Sequence, residues 1–257
     1  MELSDIVIKN GLIVNGTGNP WFKADIGIED GIIAKIASSI VGGERVIDAK
    51  GLVVAPGFID LHNHSDRPIL VQNRAENLVR QGITTVATGN CGSSTAPITE
   101  AYKERQRMRM HAHGQEVEVD WLTMGEWIEK VRERQTGINI APFIGFGTIR
   151  SCIMGVEGEG GERYEPTEEE LRAMKAMVRQ AMEDGAFGMT TGLEYVTQRN
   201  AYTEEIIELC KVVAEFRGLY MSHIRSEDDR LIEAVKEFIE ILKKTGIPGC
   251  ISHHKAA

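Results

Sequence analysis

Two histidines one residue apart, His62 and His64, close an apolar stretch that reads as a β-strand. In extended backbone alternate side chains point the same way, so both imidazoles can reach one ion. Three more groups of ligand type stand where other apolar segments end: Cys91, His223 and His253. Cys91 lies 29 residues beyond His62, and His253 lies 30 beyond His223. Each interval is about one strand–helix unit, which places the members of each pair on adjacent strands. Imidazole and thiolate are ligand types that zinc prefers. Five such groups on four strand ends therefore predict a metal centre. His111, His113, Cys152, Cys210 and Cys250 stand outside this pattern, as does His254, which strand alternation turns away from His253.

The elements that must position these groups change character along the chain. Residues 1–56 read as short strands broken by glycine turns, with Asn10-Gly11 and Asp30-Gly31 as hairpin signals. A small β-domain portion in the form of a meander is expected there. From 57 to 257, apolar strands near 57–61, 83–88, 138–144, 186–190, 219–222 and 249–252 alternate with helical stretches. That alternation is the signature of βα units and a parallel sheet. The fold class is α/β, with about six of the eight strands of a TIM-like (β/α)8 barrel, and such a barrel gathers its active site at the C-terminal strand ends. Thr167 and Glu170 form a capping box that opens a helix, with Leu171, Met174, Met177, Val178, Ala181 and Met182 at helical spacing until Gly185. A second helix, about 228–244, carries Leu231, Ile232, Val235, Phe238, Ile239 and Leu242 along one stripe. The stretch 98–136 is longer than one βα helix requires; its second half, 121–134, reads as helical, and the whole as an insertion over one face.

With 29 basic and 38 acidic residues the net charge is −9, which gives no clustered positive charge for nucleic acid or an anionic membrane. The 42% hydrophobic content suffices for a substantial core. Four scattered cysteines make no disulfide framework and point to a reducing cytosol. The opening residues lack a basic segment followed by an apolar one, and no apolar run spans a bilayer, so a cytoplasmic protein is expected.

Pro56-Gly57-Phe58-Ile59-Asp60-Leu61-His62-Asn63-His64 closely resembles the strand-one motif of the amidohydrolase superfamily, many members of which bridge two metals with a carboxylated lysine. Thr88-Gly89-Asn90-Cys91-Gly92 instead resembles the N-acyl-D-amino-acid deacylase (D-aminoacylase) branch, where a cysteine takes the bridging place. Thr191-Gly192-Leu193-Glu194-Tyr195, Ser222-His223-Ile224-Arg225-Ser226-Glu227 and Ile251-Ser252-His253-His254-Lys255 are similar to that branch too. The resemblance runs through the entire chain, including the N-terminal strands.

The resemblance implies that Cys91, His223 and His253 hold a tight Zn2+. His62 and His64 would contribute to a second, weaker position, with Cys91 able to bridge. Tyr195 and Lys255 match positions that bind the substrate carboxylate, and Arg225 and Glu227 would orient His223 or close the site. The implied reaction is zinc-dependent hydrolysis of an N-acyl-D-amino acid, a small molecule, to a carboxylate and a D-amino acid. The family's general base is an aspartate after strand eight, expected beyond residue 257, so this chain alone is expected to have negligible deacylase activity and a complementary C-terminal chain, or a homo-oligomer, as its partner. Two alternatives stand beside this one. A hydantoinase- or dihydroorotase-like cyclic amidohydrolase is disfavoured by Cys91 and by the lack of a clear lysine at a strand-four end; the other is a non-catalytic zinc-binding fragment or subunit.

Overall fold

The computed structural model describes residues 4–155 and 165–256. The chain divides into two compact units, the first ending at Phe58 and the second beginning at Ile59.

In the first unit β1 (Ser4–Ile13), β2 (Phe22–Glu29), β3 (Ile32–Ala37) and β4 (Gly43–Asp48) form a sheet in the order β3-β2-β1-β4, and β5 (Val53–Val54) also pairs with β1. The Asp30-Gly31 hairpin forms as expected: φ is 50° and 74° at the two residues, the positive pair of a type I′ turn. Asn10-Gly11 does not turn the chain, however. β1 runs through it, and its register against β2 shifts between Ile8 and Gly11, a bulge. Asn10 takes φ 61°, its N–H donates to Asp25 Oδ1 at 2.8 Å, and its side-chain amide donates to Asp48 Oδ1 at 2.8 Å. The left-handed preference of the dipeptide is thus spent on a bulge, because β4 and β5 lie parallel along β1 and use its backbone groups. The expected meander is corrected to a mixed sheet. Ile13, Ala24 and Ile26 are the buried centre of its small core.

All six expected barrel strands form. They are β6 (Phe58–Asp60), β7 (Ile83–Thr88), β8 (Asn139–Pro142) with β9 (Ile144–Gly145), β10 (Gly188–Gly192), β11 (Leu219–His223) and β12 (Gly249–Ile251). The orders are β6-β7-β8 and β9-β10-β11-β12, and β7–β8, β9–β10, β10–β11 and β11–β12 are parallel. β8 and β9 are two parts of the third strand. Phe143, between them, donates its N–H to Thr88 O at 2.9 Å, and Pro142 O accepts from Phe187 N at 2.8 Å. The third strand therefore joins the second to the fourth, and the strands from β7 to β12 run the same way, so their C-terminal ends lie together.

Helices alternate with the strands: α1 (Glu76–Val79), α2 (Glu100–Ala112), α3 (Met124–Glu133), α4 (Phe146–Met154), α5 (Glu168–Glu183), α6 (Thr203–Glu215) and α7 (Leu231–Thr245). The Thr167 capping box is present, with Thr167 Oγ1 accepting from Glu170 N and Glu170 from Thr167 N. α5 buries Met174, Val178, Ala181 and Met182, one face at helical spacing. In α7 the buried stripe is Ala234, Phe238 and Ile241; Ile232 and Ile239, expected on it, are 61% and 42% exposed. They stand about 100° around the helix from Phe238, a side face rather than the inner one. The insertion holds two helices. α3 has its own capping box, Thr123 with Glu126, and α2 is a charged helix that buries only Tyr102, Gln106 and Met110. Among the described residues no helix is long and apolar enough to cross a membrane.

Candidate metal centre

The segment after β7 is a chain of left-handed residues: Gly89, Cys91 and Gly92 have φ of 80°, 54° and 71°. A cysteine there is strained, since its Cβ crowds the carbonyl by about 1–2 kcal/mol relative to the right-handed conformation. Neighbouring elements hold the segment in place. Thr190 of β10 donates to Gly89 O and accepts from Gly92 N. Gln198 donates to Cys91 O at 3.2 Å, and Asn90, fully buried, donates to Ala87 O and Asn63 O. None of these three side chains was singled out from the sequence. Their roles arise from strand adjacency, and a buried polar residue next to a ligand position is the signal that marks them.

Three imidazoles surround the Cys91 sulfur. Sγ lies 3.4 Å from His62 Nε2, 3.7 Å from His253 Nε2 and 4.0 Å from His223 Nδ1. The His223 and His253 rings stand edge to face at 4.6 Å, and those of His62 and His253 at 4.8 Å. Donors around one tetrahedral zinc stand roughly 3.3–3.6 Å apart, near these spacings. His62, Cys91 and His253 present ligand atoms within 4.8 Å of one another, and so do His223, Glu227 and His253. His64 joins neither group; its ring lies 5.3 Å from that of His62, and it lines an adjoining cavity. Burial and then the neighbouring imidazoles push His62 down to about 4, so the ring is neutral at pH 7 and keeps a lone pair. Burial also raises the Cys91 thiol, which a coordinated cation would deprotonate. Soft and borderline donors, unpartnered nitrogen at His62 Nδ1 and spacings of this size fit a zinc ion.

Carboxylates hold the outer ring atoms. Glu227 Oε1 lies 2.6 Å from His253 Nδ1, which turns Nε2 toward the sulfur, and Glu194 Oε2 lies 2.8 Å from His223 Nε2, which leaves Nδ1 facing it. Glu227 is 3.9 Å from His223, so the histidine it orients is chiefly His253. Arg225, expected to help orient His223, bonds instead to Glu237 of α7 at 2.8 Å and to Ala201 O at 3.0 Å. That helix brings a carboxylate closer to the guanidinium than the site does. Lys255 donates to the second oxygen of Glu227, and the Tyr195 ring lies 4.8 Å from that of His223. Glu227→Gln keeps the shape while removing the charge that holds His253. Zinc affinity measured by competition with a chelating dye should fall about 10- to 100-fold.

No protein-family model matches the chain. Over 252 residues it is 33% identical to the D-aminoacylase of Alcaligenes xylosoxydans xylosoxydans, a match covering 98% of this chain and 50% of that protein. To the N-acyl-D-glutamate deacylase of the same organism it is 34% identical over 255 residues, 99% of this chain and 50% of the relative. Its fold superposes on a D-aminoacylase structure studied for the role of its binuclear metal centre, with a TM-score of 0.87 and 33% identity over 98% of this chain and 52% of that one. The chain is similar to D-aminoacylases over nearly its whole length. It spans about half the length of the curated D-aminoacylase relatives it matches. The N-acyl-D-glutamate deacylase of Bordetella bronchiseptica, solved with zinc and a phosphonate mimic of the tetrahedral intermediate, is a further D-aminoacylase-like neighbour, with a TM-score of 0.85 and 34% identity over 98% of this chain and 52% of that one.

Proposed function

We propose that this chain carries the zinc centre and the carboxylate-binding groups of an N-acyl-D-amino-acid deacylase. The observation that supports this reading most is the convergence of three imidazole nitrogens on Cys91 Sγ at 3.4, 3.7 and 4.0 Å. Cys91, His223 and His253 would hold the tighter zinc, and His62 and His64 would contribute to a second, weaker position, to which Cys91 could also contribute. Zinc there supplies Lewis acidity toward water and an amide carbonyl. Four free cysteines among the described residues support a reducing, cytoplasmic setting.

The chain's own groups do the rest of the binding. Glu227 and Glu194 fix His253 and His223 through their outer nitrogens, so each ring presents its inner nitrogen. Burial, then the neighbouring Cys91, pushes Tyr195 up to about 12, so it stays a phenol and can donate. With the Lys255 ammonium it would grip the substrate's α-carboxylate. In the overall reaction the oxygen of water bonds to the acyl carbon, the C–N bond breaks, and a water proton passes to the leaving amine. A general base must carry that proton. By family resemblance it is an aspartate after the eighth barrel strand, outside the six strands present, and a C-terminal half would be the partner that supplies it.

Purified chain, alone and supplied with the C-terminal half of a D-aminoacylase relative, is the material for the test. About one tight zinc per chain is expected by elemental analysis, with hydrolysis of N-acetyl-D-methionine only in the complemented form. Failure to retain zinc, or turnover of the L-enantiomer or of hydantoin in its place, would overturn the reading.

A further inference from the structure

Beside His64, Cys91 and Tyr195 lies a cavity of about 680 Å3. Three guanidinium groups belong to its lining: Arg67 from the segment after β6, and Arg105 and Arg109, one turn apart on α2. Arg67 Nη2 donates to Ser93 Oγ at 3.2 Å, and Arg109 Nη2 donates to the same oxygen at 3.4 Å. Arg109 Nη1 adds a bond to Tyr102 Oη at 3.3 Å, while Arg67 Nε is buried without a partner. Two cations thus converge on one neutral hydroxyl, and among the described residues neither meets a carboxylate. No described residue in the cavity lining is Asp or Glu. The carboxylates nearest the metal centre are engaged elsewhere, Glu194 with His223 and Glu227 with His253 and Lys255.

Like charges drawn together in a half-buried place repel one another, and the lowest-energy occupant of such a place is an anion. A guanidinium fork fits a carboxylate in particular, through two parallel N–H donors. The α-carboxylate already has its donors in Tyr195 and Lys255 on the deacylase reading, so an anion in this cavity must be a second one. We propose that the cavity receives a second carboxylate of the substrate, and that Arg67 and Arg109 select N-acyl-D-amino acids that are dicarboxylic. The proposal rests on the deacylase reading above. The second carboxylate can sit on the amino-acid side chain or on the acyl group, and the two sources share the chemistry that Arg67 and Arg109 recognise.

Two readouts test this. In the complemented enzyme, kcat/KM is compared for N-acetyl-D-glutamate, its neutral isostere N-acetyl-D-glutamine, N-succinyl-D-methionine and N-acetyl-D-methionine. In the chain by itself, calorimetry follows equilibrium binding of the same four compounds. A dicarboxylate is expected to lead its neutral counterpart by about a hundredfold, the scale of a lost charge-assisted contact. Arg109→Met should bring that ratio toward one, and Arg109→Lys should restore part of it. Preference for the succinyl compound without preference for the glutamate puts the anion on the acyl side; the converse puts it on the side chain. Equal or better use of the neutral compounds in both readouts overturns the proposal, and turnover of N-acetyl-D-methionine in that case leaves the deacylase reading standing. No turnover of any compound sinks the deacylase reading, while the calorimetric ratio still decides the anion.

Discussion

Cys91→Ala should lower zinc affinity by about 100- to 1,000-fold. Zinc held by four protein ligands is worth about 10–16 kcal/mol, so one ligand carries roughly 3–4 kcal/mol, or two to three decades. Cys91 is also the point shared by His62, His223 and His253, each within 4.0 Å of its sulfur. Alanine removes only that sulfur. It meets the same left-handed strain as cysteine at φ 54°, so the fold should persist. Cys91→Ser should fall in the same direction, because a hydroxyl keeps its proton at neutral pH where a coordinated thiol does not. Equilibrium dialysis against a buffered chelator, with far-ultraviolet dichroism as the control for folding, checks both variants. Wild-type zinc retention by Cys91→Ala would remove the sulfur from the ligand set.

Gly89→Ala should damage stability and zinc binding together. Gly89 has φ +80°, and a Cβ there would lie 2.1 Å from Phe143 O. That oxygen is backbone, in a residue whose own N–H is tied to Thr88 O, so it cannot swing aside as a side chain would. The left-handed penalty of about 1–2 kcal/mol and a forced backbone shift of about 1–3 kcal/mol sum to roughly 2–5 kcal/mol. In a unit of this size that lowers Tm by roughly 4–20 °C. Cys91 is two residues on, so whatever shift relieves the clash also moves the ligand. Gly114→Ala separates strain from crowding, since Gly114 has φ +69° and nothing within 4 Å of the added Cβ. It should show the left-handed penalty alone, and equal losses in the two variants would contradict the crowding argument.

The parts of this structure legible in the sequence are those fixed by local pattern or by residue type. The six barrel strands and the α5 capping box follow from apolar runs and from Thr167 with Glu170, because their signals lie within one element. His62, Cys91, His223 and His253 could be singled out because imidazole and thiolate at strand ends have few other uses. What escaped depends on the pairing of distant elements. Asn10-Gly11 carries a true left-handed signal, yet whether it becomes a turn or a bulge is decided by β4 and β5 alongside β1. Glu194 reaches His223 because Gly192 pairs with His223 across β10 and β11, which spacing along one strand cannot reveal. Arg225 looked like a site residue by proximity in sequence, but its partner Glu237 comes from a helix that returns to the same place.

One carboxylate in this centre serves two masters. Glu227 accepts from Lys255 through one oxygen and meets His253 Nδ1 through the other, while burial works against its charge. A ligand that draws Lys255 away leaves that charge to His253 alone and alters how firmly the ring is held. Occupancy of the lysine and occupancy of the histidine are therefore thermodynamically linked, and reciprocity makes the effect equal in both directions. Whatever factor a carboxylate ligand imposes on the affinity for metal, the metal imposes on the affinity for that ligand.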